Sequence, residues 1–167
     1  MNMPLKILIG ICLLRAAPQD LPASRGAMLA ALIAYAAAGL LGVLDVLTFE
    51  NAVLATVVDT LLLAAATHLV LQWRRLENRL TQTLTALAGC GALLSLLAWG
   101  AAGLAPQAFQ PEWIWAVFLV WYTLVFGHVL RHALSITLAT GVAASLLYLF
   151  FSIGVTGLFM NPLPATN

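Results

Sequence analysis

Gln72–Gln82 reads QWRRLENRLTQ, the one strongly polar stretch of the chain, and it carries three of the seven basic residues, Arg74, Arg75 and Arg79. An apolar run, 52–73, lies before it and another, 83–105, lies after it. Each is long enough for a helix to cross the hydrocarbon layer, which takes about 20 residues. A basic connection between two such runs faces the cytoplasm, because Lys and Arg are held on that side during insertion. That one loop orients everything around it.

The other basic residues obey the same rule. Lys6, Arg15 and Arg25 precede the first long apolar run, and Arg131 follows the fourth. The segments that must then face the opposite side are Phe49 to Asn51, Pro106 to Glu112 and the tail after Met160, and none holds a Lys or Arg. The expectation is an all-α polytopic membrane bundle of five spans, over 26–48, 52–73, 83–105, 113–130 and 133–160. Its N-terminus is inside and its C-terminus outside, with residues 1–25 on the cytoplasmic face and 161–167 as an external tail. The fifth span is longer than a bilayer requires and must tilt, kink or protrude.

Composition agrees. Of 167 residues, 63% are apolar and 8% charged, against roughly 25% charged in soluble domains. A net charge of +1 gives no reason to expect nucleic acid, and the expected surroundings are the lipid bilayer and membrane-protein partners or further copies of the chain. Short loops and compact length suit a bacterial inner membrane. Pro4 to Leu14 is too short to cross and has no small-x-small cleavage site after it, so it reads as an interfacial helix with Lys6 and Arg15 at the head groups. The prolines at 18 and 22 end it, leaving Asp20 or Ser24 to cap the first span. Cys12 and Cys90 read as free buried thiols, since the cytoplasmic side is reducing.

Small residues mark where helices approach closely: Gly26, Ala30, Ala34, Ala38 and Gly42 on span one, Gly89, Gly91 and Ser95 on span three, and Thr137, Gly141 and Ser145 on span five. Ionisable groups within the hydrocarbon are expensive and therefore functional suspects. Asp45 falls about one turn inside the outer end of span one, and Asp59 lies inside span two with Thr56 and Thr60 at helical spacing. Neither has a basic partner on its side. Both fit a small proton- or ion-coupled transporter, and both also fit hydrogen bonds that join helices. His68, His128 and His132 lie near the cytoplasmic ends of their spans and are the only candidates for a metal or haem; no resident cofactor is expected. Soluble-enzyme signatures are absent: there is no GxSxG, phosphate-binding glycine loop, HExxH or CxxC, so the chain reads as non-enzymatic. Arg74, Arg75 and Arg79 serve topology and anionic head groups.

The order of these features resembles the Yip-type family of small five-span membrane proteins. The likeness rests on a proline-containing cytoplasmic segment before span one (APQDLPAS, 17–24), two tight outer hairpins and the polar loop between spans two and three. It covers nearly the whole chain, in architecture. The long soluble N-terminal region of eukaryotic members is missing, and so is a tyrosine-and-proline signature in span three, so their GTPase binding is not carried over. The resemblance implies a non-enzymatic organiser or assembly partner of other membrane components.

Overall fold

The computed structural model describes residues 3–104 and 111–158. Six helices follow one another: α1 (Met3–Cys12), α2 (Arg25–Val43), α3 (Phe49–Trp73), α4 (Leu80–Leu104), α5 (Pro111–Leu134) and α6 (Leu138–Gly157). Five of them, α2 to α6, are long and apolar enough to cross a membrane. The chain is thus a helical membrane bundle. Backbone polar groups find no water in lipid, so spanning segments close their hydrogen bonds internally as helices.

Side-chain size decides the arrangement around α4. Every residue from Thr83 to Ala92 is buried, and most of these are small. Tyr35 of α2 lies over Gly91, where an added Cβ would come within 2.7 Å of its ring. The buried line of α2 is Ala31, Tyr35 and Ala38, while Ala30 and Ala34 of the expected small-residue stripe are exposed. The packing face therefore sits one position around the helix, because it must accommodate the tyrosine. α5 and α6 meet backbone to backbone: a Cβ on Gly127 would lie 2.8 Å from the Val142 nitrogen, and one on Gly141 would strike the Gly127 carbonyl. Leu, Val, Phe and Trp residues are exposed on the outer faces, a surface for which lipid is the natural solvent.

The helix expected in the interface is drawn into the bundle. Leu8 of α1 fits over Gly89, Ile11 is fully buried, and the Trp121 Nε1–H donates to the Cys12 carbonyl at 2.8 Å. Trp121 is ten residues before Arg131, about 15 Å along the helix, so the end of α1 sits well below the basic level. Both cysteines are free and buried, and they meet here. The Cys90 S–H donates to the Leu8 carbonyl of α1 at 3.7 Å. The segment after α1 is tied back to the start of α4 and the end of α5: Gln82 donates to the carbonyls of Gln19 and Leu21, and Gln19 donates to the His132 carbonyl.

Three span limits differ from expectation. α2 stops at Val43, so the outer hairpin turns at 44–48 and Phe49 already belongs to α3. α5 runs on through Arg131 and His132 to Leu134, and the turn is Ser135 to Thr137. The last span therefore begins at Leu138, not at 133, and its described helix is 20 residues long, a length that crosses without excess. Ser24 caps α2, accepting from the Ala27 N–H at 3.3 Å. The expected outer loop lies outside the described residues up to 110, as do the end of the last span and the tail beyond 158.

Candidate functional site

Asp59 sits ten residues into α3, about 15 Å from its outer end and so near the middle of the bilayer. The Tyr35 hydroxyl of α2 donates to its Oδ2 at 2.7 Å. Ser152 and Tyr148, both of α6, donate to Oδ1, Tyr148 at 3.4 Å. The Tyr122 hydroxyl of α5 lies 3.3 Å from that of Tyr35. The chain has three tyrosines, and all of them gather at this one carboxylate. Four spans thus contribute to a single polar cluster, positioned by Gly91, whose missing side chain admits the Tyr35 ring.

Thr56 and Thr60 do not join it. Their hydroxyls donate to the carbonyls of Ala52 and Thr56, four residues back in α3, at 2.7 and 2.8 Å. A hydroxyl on a membrane helix satisfies itself this way when no closer acceptor faces it.

A cavity of about 240 Å³ opens beside Asp59, lined by Tyr35, Tyr122, Trp115, Phe118, Ser95 and apolar neighbours. Trp115 also lines a wider cleft of about 840 Å³ at the outer end, bounded by Gly42, Asp45, Trp99, Gly100 and Gly103. The two spaces adjoin at that indole. Asp45 belongs to this cleft, in the turn after α2, and is exposed. Asp45, expected one turn inside the outer end of span one, falls instead in the turn after it, because α2 ends at Val43. Toward the basic ends of the helices an aromatic wall bounds the cavity. Tyr122 stacks on Phe126 with ring centroids 4.0 Å apart, and Phe126 on Tyr148 at 6.4 Å. Beyond that aromatic wall lies a further apolar space of about 90 Å³ between α3, α4, α5 and α6, which reaches Leu71, Thr83 and Leu134 at their inner ends.

The histidines are divided. His128 and His132 share one face of α5, their rings 4.6 Å apart and edge to face, as the continuous helix allows. A ring nitrogen of His128 bonds to the Ala16 carbonyl at 3.0 Å, so it pins the segment after α1. His68 is exposed on α3. Among the described residues no group of three His, Cys, Asp or Glu side chains is placed to hold a metal ion.

Of the basic loop, Arg74 and Arg75 are exposed. Arg79 turns inward and donates to the carbonyls of His132 and Ala133 at 3.2 and 2.9 Å, and to the Ser135 hydroxyl at 3.2 Å. It neutralises the negative end of α5 where the helix runs out of internal donors. Sequence reasoning found Asp59 but not its tyrosines, which come from three distant helices and share no spacing. Their number was the available signal: three hydroxyl-bearing rings, each near the middle of a span.

No protein-family model, curated protein or solved structure matches the chain.

Proposed function

We propose that this chain is a small multi-pass carrier, or the carrier subunit of a larger assembly, that takes up a proton or a cation at Asp59 from the outer side of a bacterial inner membrane. One observation carries the reading: among the described residues the mid-membrane carboxylate has no basic partner, it lines a cavity, and it accepts from Tyr35 and Tyr148 with Tyr122 bonded behind Tyr35. A carboxylate used only to join helices has no need of empty space beside it. The hydroxyls suit a change of state, since each can donate to the ionised group or accept from the protonated one. The open outer cleft and the aromatic wall behind the cavity fit one side of an alternating pathway. Infrared difference spectra of the full chain in lipid, recorded across a pH series, test the proton. A protonated-carboxyl band that titrates and disappears in Asp59→Asn supports the reading. A carboxylate that remains ionised throughout, with equal folded yield of both proteins, assigns Asp59 to helix joining.

A second reading has its own observation. Gly42, Gly100, Gly103, Gly154 and Gly157 have nothing within 4 Å of where a Cβ would stand, so the outer half keeps unfilled small-residue surface for another helix. This fits the organiser role that the Yip-type resemblance implies. Mild cross-linking in the native membrane followed by purification tests it: a stoichiometric membrane-protein partner supports an assembly role, and a solitary chain removes it.

A further inference from the structure

The chemistry of the walls narrows what the Asp59 cavity holds. Four aromatic residues, Tyr35, Trp115, Phe118 and Tyr122, line the space beside the carboxylate. The titratable groups facing Asp59 are Tyr35 from α2, Tyr122 from α5 and Tyr148 from α6. α4 contributes Leu94, Ser95 and Ala98 to the same cavity, none of them charged. Among the described residues, no Lys, Arg or His contributes to its lining or bonds to Asp59.

Hydroxyl donors lessen the cost of an ionised carboxylate in the bilayer interior but leave its net charge uncancelled. A proton cancels it, and so does a cation in the cavity. A bare metal ion of the alkaline-earth kind requires about six to eight oxygen ligands, and this apolar space offers few. An organic ammonium ion has its charge wrapped in methyl or methylene groups, which apolar walls accept and aromatic faces attract. Its approach is prepared as well. Asp45, Trp99 and Trp115 line the outer cleft, and the sequence puts no Lys or Arg on that side, so the field along the route favours positive solutes.

We infer that the Asp59 cavity binds a small organic ammonium ion, entering through the outer cleft, in exchange for the proton that otherwise neutralises Asp59. As the cation enters, the carboxyl O–H bond breaks and the proton leaves to bulk water, so the charge of the site is the same before and after. The inference rests on the reading of Asp59 as a proton-linked group and adds the ligand class to it.

Titration calorimetry of the full chain with tetramethylammonium and tetraethylammonium, in two buffers of different ionisation heat, counts both bound cations and released protons. The expected result is saturable binding with one proton released per cation, tighter as pH rises, and weakened about tenfold or more in Asp59→Asn. Trp115→Leu changes an exposed residue at the mouth and keeps the fold; it weakens binding too, and serves if Asp59→Asn does not fold. Binding indifferent to both substitutions overturns the inference. Absence of ammonium binding while the Asp59 infrared band still titrates also overturns it and leaves the proton-linked site standing. Absence of both band and binding removes the two together.

Discussion

Gly127→Ala asks how rigidly the α5–α6 crossing is set. The added methyl carbon would lie 2.8 Å from the Val142 nitrogen and 2.9 Å from its Cα, where ordinary contact begins at 3.4 Å. The shortfalls are 3.4 − 2.8 = 0.6 Å and 3.4 − 2.9 = 0.5 Å. Both obstacles are backbone atoms and have no rotamer to escape into, so one helix must move off the other. Overpacking of this kind costs about 1–3 kcal/mol. The same movement stretches the bond from Ser145 Oγ to the Thr123 carbonyl, now 3.0 Å, and an interhelical bond in a membrane is worth about 0.6 kcal/mol. The expected loss is therefore about 1.6–3.6 kcal/mol, summed from those two sources. Reversible unfolding in mixed micelles measures it, with Gly154→Ala as the control, since nothing lies within 4 Å of a Cβ there. The control should be neutral or gain up to about 1 kcal/mol from helix propensity. Equal stability of the two variants would refute the close-crossing argument.

Arg79→Gln strips the inner end of α5 of its charged cap and should lower stability by about 1 kcal/mol; Arg79→Lys should recover part of this, and the same unfolding assay compares them. Trp121→Phe removes the Nε1–H bond to the Cys12 carbonyl and should weaken α1 docking by about 0.5–1.5 kcal/mol. It is read as faster maleimide labelling of the buried Cys12, and unchanged labelling counts against a docked α1. A reporter fused after Asn167 should be active only on the outer side, and cytoplasmic activity would overturn the orientation drawn from the basic residues.

The span number was legible because charge asymmetry and apolar length are properties of whole segments. Span ends were not, and the cause is specific. Leu14, Arg75 and Ser135 take left-handed conformations, with φ of 59°, 57° and 55°, and each stands just after a helix. In each case the next residue bonds back five positions: Arg15 to Gly10, Leu76 to Leu71, Ile136 to Arg131. That closure normally announces itself with glycine. Here the residues are leucine, arginine and serine, so α1, α3 and α5 end without a sequence mark. The one readable sign at the last turn was Thr137 before an apolar run, and it does cap α6, accepting from the Thr140 N–H at 3.2 Å. The missing glycine is why the fourth span seemed to stop at 130 and the fifth to start at 133.

The site was half legible for a related reason. A carboxylate among apolar residues identifies itself, but its partners are fixed by helix rotation, and rotation is set by close contacts no single helix reveals. Gly91 admits Tyr35, and Gly127 with Gly141 brings α6 against α5, which carries Tyr148 and Ser152 to Asp59. The same glycines explain the asymmetry of the bundle. On the inner half they are filled by Leu8, Tyr35 and Val142, while on the outer half Gly42, Gly100, Gly103, Gly154 and Gly157 stand open. Closing the outer half would bring α2 and α4 together over Trp115 and cover Asp59 from that side. In the proposed carrier cycle the inner half, held by α1 and the α5–α6 crossing, would loosen for the opposite opening. Substitutions that alter access to Asp59 should therefore concentrate at Leu8, Gly89 and Gly127, far from the carboxylate itself.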